Sequence, residues 1–340
     1  MNELHTFLKN YFRDENFDLQ QILNGASNRS YFRVRFGNQS YIVVFNENIK
    51  ENRSFLYFSQ IFKESQIPVP KILQVSENEK IYLQEDLGNE NLLQILQKLG
   101  ENQEVEDLYK KSLTELVKLQ TITNIDFYQC YDFSEFNEKI ICNDLNYFKF
   151  YFLQPLEISF SEQKLLTEFF DISLEISQMK PKGLMYRDFQ ARNILVTNKQ
   201  PYFIDYQGGM YGNLVYDLIS LLWQAKAQLS DGFKSKMKTY YFSLLQQKMQ
   251  VTSEELEKAY QYCLLIRLTQ VLGAYGFRGI LQRKAHFLDS IFAGISNLKS
   301  LLETSPLSPK YPELKQVIEI LTEPETQNKL QKSIHFLNHE

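Results

Sequence analysis

Two short β-type runs, Ile194-Leu195-Val196 and Tyr202-Phe203-Ile204, interrupt a stretch whose apolar residues otherwise recur at helical spacing. Thr197-Asn198-Lys199-Gln200-Pro201 separates them with turn formers, so the pair reads as a hairpin. A small hairpin inside a helical half is unusual, and it limits the folds open to the chain. Its flanks are polar in an ordered way. Tyr186-Arg187-Asp188-Phe189-Gln190-Ala191-Arg192-Asn193 leads in, and Ile204-Asp205-Tyr206-Gln207 leads out.

An aspartate, an asparagine five residues on, a hairpin and a second aspartate suit phosphoryl transfer. The acceptor hydroxyl needs a carboxylate to orient it and take its proton, and the triphosphate needs a hard cation with oxygen ligands. A loop leaving Asp188 and returning with Asn193 sets the first toward an acceptor and the second toward a metal. The hairpin then returns Asp205 beside Asn193. The bland reading is a structural polar loop, since such a motif alone recurs by chance.

The rest of the chain fits an α+β protein. Tyr31 to Phe36 alternates, Gly37-Asn38 marks a turn, and Tyr41 to Phe45 is a further strand of an antiparallel meander. Phe55, Phe58, Ile61 and Phe62 give an amphipathic helix over 51–65, stopped by Pro68 and Pro70. Strands at 71–75 and 81–84 follow, and the break at Glu85-Asp86-Leu87-Gly88 divides a lobe over 1–86 from one over 87–340. Helical patterns in the second run through 103–120, 136–153, 161–179, 214–229, 231–248, 253–273 and 284–302, with weaker ones near 311–321 and 326–337.

Composition removes other classes. Net charge is −4 with no basic arm, which argues against nucleic acid as a partner. The three cysteines, Cys130, Cys142 and Cys263, form no CxxC pair, so a disulfide framework or zinc site is unsupported. No run of 18 apolar residues and no leader pattern is present, which points to a cytoplasmic protein without a membrane partner. The oligomeric state leaves no signal.

The hairpin and its flanks resemble those of the aminoglycoside phosphotransferase and choline kinase-like family. The resemblance implies a two-lobed protein-kinase-like fold, with a small antiparallel-sheet lobe carrying one main helix and a larger helical lobe. It implies ATP or another nucleoside triphosphate and magnesium as cofactors, Asp188 as catalytic base, Asn193 and Asp205 as metal ligands, and Asp217 as a brace for the catalytic loop. Asp217 also reads as a helix N-terminal acid. Gly25-Ala26-Ser27-Asn28-Arg29-Ser30 resembles the phosphate-covering loop, though with one glycine it is also an ordinary turn. Gln84, Glu85 and Leu87 resemble the hinge that meets the base.

Asp188 to Asn193 with Asp205-Tyr206-Gln207 looks nearest to bacterial kinases of cell-wall amino sugars, which phosphorylate the anomeric hydroxyl of N-acetylmuramate or N-acetylglucosamine. Arg192, Gln207, Tyr147 and Arg267, with Asp144, are candidates to hold a sugar acceptor, each equally readable as a surface or capping residue. An aminoglycoside or choline-like alcohol is the alternative acceptor.

Two departures stand out. Tyr186 replaces the usual histidine, and Tyr41 to Asn46 lacks the strand lysine that pairs with phosphates. Arg29, Arg33, Arg35 and Lys50 are the substitutes, and Glu51 is without its usual lysine partner. The missing lysine motivates a pseudokinase scaffold as the alternative to an enzyme.

Overall fold

Alternation builds the amino-terminal sheet. In the computed structural model, which describes residues 2–22 and 29–339, five strands run β1 (Asp18–Ile22), β2 (Ser30–Phe36), β3 (Gln39–Phe45), β4 (Ile72–Val75) and β5 (Ile81–Glu85). Their spatial order is β1-β2-β3-β5-β4. Every neighbouring pair is antiparallel, as the meander requires. The two-residue turn between β2 and β3 puts Gly37 at φ 57°, a left-handed conformation that glycine adopts without strain.

One face of the sheet, Phe32, Val34, Val43, Ile81 and Leu83, is buried against Leu4 and Leu8. Those leucines belong to α1 (Asn2–Phe12), a helix that the sequence reading, with one main helix in this half, does not contain. Its two fully buried positions sit a single turn apart in a polar run, too little for a periodicity to register. The opposite face is set by the period of two. Tyr31, Val44 and Tyr82 form one rung across β2, β3 and β5, and Arg33, Ile42 and Gln84 form the next.

Helix α2 (Ile49–Glu64) starts where the Asn48 side chain accepts the Glu51 N–H, and it buries Phe55, Phe58 and Phe62. Helices α3 (Leu92–Leu99) and α4 (Gln103–Gln120) follow, each opened by an asparagine cap.

By contact density the chain falls into two units: Met1–Ser134 with Tyr186–Met210, and Glu135–Met185 with Tyr211–Glu340. The segment with the hairpin joins the sheet for a visible reason. Val196 donates its N–H to Glu90 O, Phe203 donates to Pro68 O, and Thr197 Oγ1 donates to Leu87 O at 2.6 Å. These units follow space, whereas the division after residue 86 follows chain order and role.

The second unit is mostly helical, with Lys182–Met185 paired to Met210–Asn213 as a two-stranded sheet. Its α5 (Glu138–Phe148) runs into a π-helical turn at Lys149–Leu153, and α6 (Glu162–Gln178), α7 (Val215–Leu222), α8 (Asp231–Lys248) and α9 (Ser253–Tyr275) follow. A further π-helical turn at Gly276–Leu281 extends α9. A Cβ at Gly276 would sit 1.9 Å from the Tyr151 carbonyl oxygen, so only glycine allows this approach. The single helix expected over 214–229 stops at Leu222, and a 3-10 turn at Ala225–Ala227 ends with Gln228 in left-handed backbone. The helix expected over 284–302 is divided into Ala285–Leu288 and Ile291–Thr304. Among the described residues no helix is long and apolar enough to cross a membrane.

Candidate active site

The hairpin strands, Ile194–Thr197 and Gln200–Phe203, pair Ile194 with Phe203, so their open end brings residues 193 and 204 together. Ile204 N–H donates to Asn193 O at 3.1 Å, and Asp205 follows at once. On the other side, Asn193 Nδ2 donates to the Asp188 carbonyl at 2.9 Å. Gln190 Nε2 donates to Asp188 Oδ1 at 2.9 Å. Asp188, Asn193 and Asp205 are thus drawn to one end of one hairpin.

The backbone there is unusual for its residue types. Arg187 at φ 73° and Asp205 at φ 70° flank this set in the left-handed region, which non-glycine residues occupy only when their surroundings fix them. The fixing groups are aromatic. Tyr186, at the usual histidine position, donates its hydroxyl to Ile204 O at 2.5 Å and packs edge-on against Phe189, Phe203 and Tyr206. Tyr206 is buried, stacks on Phe55 of α2, and shares a 2.7 Å hydrogen bond with Ser59. Burial pushes the Tyr206 hydroxyl well above its ordinary range, so it stays neutral. Gln190, Tyr206 and Ser59 are supporting residues to which the sequence reading gave no role.

Asp205 is partly open, its side chain 37% exposed. It accepts from Gln207 Nε2 at 2.9 Å and lies 3.2 Å from Arg29 Nη2. The same nitrogen of Arg29 is 2.9 Å from Glu51 Oε1. Arg29 Nη1 donates to the Tyr31 hydroxyl at 3.0 Å. Burial works against the charge on Arg29, but Tyr31, Tyr82, Asp205 and Glu51 together hold its pKa above the ordinary value. Burial also pushes Tyr31 up to about 12, with the nearby guanidinium opposing it. Glu51, without a partner in the sequence reading, has one here.

In the stretch expected to be the hinge, Gln84 is buried, and its Oε1 has no hydrogen-bond partner among the described residues. Glu85 Oε2 accepts from the Lys71 N–H at 3.3 Å. Asp86 is gripped by the fork of Arg33, with Nε 2.6 Å from Oδ2 and Nη2 3.0 Å from Oδ1. Ser40 Oγ and the Gly88 N–H also donate to it. Burial alone would raise the Asp86 carboxyl, but these donors outweigh it and hold the group below its usual range.

Gly25, Ala26, Ser27 and Asn28 lie outside the described residues. Arg192 is exposed on the turn Ala191–Asn193, and Gln207 is buried with its Oε1 unpartnered among the described residues. Tyr147 and Arg267 belong to the other unit. Tyr147 is half-buried against Tyr151 and Phe277. Arg267 is buried in α9, donating to Gln270 Oε1 at 3.1 Å and lying over the Tyr216 ring. Asp217 is fully buried in the first turn of α7, where its charge adds to the burial that pushes the Cys263 thiol up. Asp144 is half-buried on α5.

The donor set suits magnesium. Committing Asn193 Nδ2 to Asp188 O leaves the amide oxygen as the atom to bind a hard cation. Asp205, which lies against a guanidinium and accepts from an amide donor, offers the carboxylate oxygens such a cation takes. Among the described residues no group of three or more His, Cys, Asp or Glu could hold a metal ion.

The model of the phosphotransferase enzyme family matches residues 18–250. The N-acetylmuramate/N-acetylglucosamine kinase of Neisseria meningitidis serogroup B is 27% identical over 237 residues, covering 68% of this chain and 69% of that protein. Among solved structures, the ADP-bound aminoglycoside phosphotransferase APH(2'')-Ib superposes with a TM-score of 0.59 at 17% identity, covering 89% of this chain and 97% of the other. A choline kinase from Streptococcus pneumoniae gives a TM-score of 0.56 at 13% identity, covering 88% and 99%. The two-lobed kinase-like fold expected from the sequence is the fold these structures share.

Proposed function

The chain belongs to the phosphotransferase enzyme family, and on that premise we propose that it transfers the γ-phosphate of ATP to the anomeric hydroxyl of a cell-wall amino sugar of the N-acetylmuramate or N-acetylglucosamine type. The observation that carries the reading is the convergence of Asp188, Asn193 and Asp205 at one hairpin end. The relative from Neisseria meningitidis, named as a kinase of N-acetylmuramate and N-acetylglucosamine, supports the choice of acceptor.

In this reading residues 1–86 form the nucleotide lobe and 87–340 carry the catalytic loop and acceptor site. The base meets the hinge at Gln84, Glu85 and Leu87. The Leu87 carbonyl is held by Thr197, which leaves its N–H as the group to present. Gly25 to Arg29 cover the phosphates. Asn193 and Asp205 would hold magnesium, which supplies charge neutralisation on the triphosphate when bound. Asp188, its Oδ1 steadied by Gln190, orients the acceptor hydroxyl and takes its proton as the new O–P bond forms. Arg192 and Gln207 are the acceptor-binding candidates on the same unit as Asp188. The reaction takes place in the cytoplasm.

ADP release with magnesium, ATP and a panel of N-acetylmuramate, N-acetylglucosamine, an aminoglycoside and choline tests this. The amino sugars are expected to turn over, and Asp188→Asn to lower kcat about 100-fold or more. Turnover with choline or the aminoglycoside and with neither sugar would refute the acceptor assignment.

A further inference from the structure

We propose that Arg29 is the phosphate-binding cation of this enzyme and that, before nucleotide arrives, it serves as the resident counter-ion of Asp205. The proposal rests on the metal-binding role assigned to Asp205 above. Strand β3, Gln39–Phe45, carries no basic residue, and Ile42 and Val44 occupy its side of the rungs shared with Arg33 and Tyr31. Four basic side chains are near enough in sequence to compensate. Arg35 and Lys50 are exposed. Arg33 is bound by both arms of its fork to Asp86 and donates also to Asn89 Oδ1 at 2.7 Å. Arg29 alone is drawn inward between two carboxylates, its side chain 4% exposed.

The two carboxylates differ in freedom. Glu51 is anchored, since its Oε2 accepts from Asn46 Nδ2 at 2.8 Å and Asn46 is itself bonded to the buried Asn52. Asp205 is the more exposed of the two. One guanidinium nitrogen serves both. A triphosphate brings its own negative charge. Arg29 then exchanges Asp205 for a phosphate oxygen while Glu51 keeps its stem in place, and Asp205 becomes available as a ligand. Planar fork geometry makes arginine suited to holding a carboxylate and a phosphate at once.

The test is calorimetric, without acceptor. Binding of adenosine, ADP and a non-hydrolysable ATP analogue is measured with magnesium for the native chain, Arg29→Gln and Arg29→Lys. The native affinity rises along that series. Arg29→Gln is expected to bind adenosine unchanged and the triphosphate analogue at least about 10-fold more weakly. Arg29→Lys is expected to fall between them, and it carries the test if the glutamine variant does not fold. Variants that bind the analogue as tightly as the native chain, or that lose adenosine and analogue equally, overturn the proposal. A native chain whose affinity is indifferent to added phosphates overturns the phosphotransferase assignment of the site itself, and this inference with it.

Discussion

Arg29 immediately precedes β2 and Arg33 lies within it, four residues apart, yet their partners are arranged differently. Arg33 meets one carboxylate with two parallel bonds, and Asp86 is further satisfied by Ser40 and the Gly88 N–H. Arg29 shares a single nitrogen between Glu51 and Asp205, which come from separate elements. A saturated fork fastens two segments and resists exchange. A cation divided between two anions holds neither to its full capacity, so a third anion can displace one of them. Similar residue chemistry thus gives a saturated contact in one place and a shared one in the other.

That contrast breaks most sharply at Asp205. Asp205→Asn should lower turnover at least about 100-fold while the chain stays folded, because Arg29 keeps Glu51. Steady-state kinetics with far-UV circular dichroism checks both halves. A folded variant with near-native turnover would remove Asp205 from the chemistry.

Arg33→Met should do the reverse. Removing the fork strands the buried Asp86 and costs about 2 kcal/mol, read as a lower urea midpoint, whereas the ratio of triphosphate to adenosine affinity stays native. Loss of that ratio would erase the distinction between the two arginines.

The smallest effect concerns pH. Because the folded-state pKa of Asp86 is depressed, its contribution is fully present above the unfolded value of about 3.9 and is lost as pH falls through the lower folded value. The stability gap between the native chain and Asp86→Asn should therefore be constant from neutral pH down to about pH 5 and close below about pH 4. A gap that persists in acid would show that the carboxylate charge is not what joins Asp86 to Arg33.

The two arginine sites also show where sequence reasoning succeeds. Asp188, Asn193 and Asp205 fall within eighteen consecutive residues, and a hairpin of known spacing folds them onto one another, so their meeting is legible from local pattern. The strands of the amino-terminal sheet are equally legible, since alternation and a two-residue turn fix the register. The choice of Arg29 over Arg33 is not, because it depends on residue 29 reaching residue 205, 176 positions away. The Tyr206 anchor was hidden for the same reason. Its partners Phe55 and Ser59 lie on α2, and no spacing rule connects them. Helix α1 escaped because its buried stripe is two leucines long, and the π-helical turns because they shift the helical period without a breaker to announce them.

The central claim is that a sugar hydroxyl, aimed by Asp188, receives the terminal phosphate of ATP. Phosphorus NMR of a reaction with N-acetylmuramate and magnesium-ATP tests it directly. The account predicts a sugar 1-phosphate signal growing as the γ-phosphate resonance declines, and no such signal with Asp188→Asn. Release of inorganic phosphate alone, or a phosphorylated sugar formed equally well by Asp188→Asn, would contradict it.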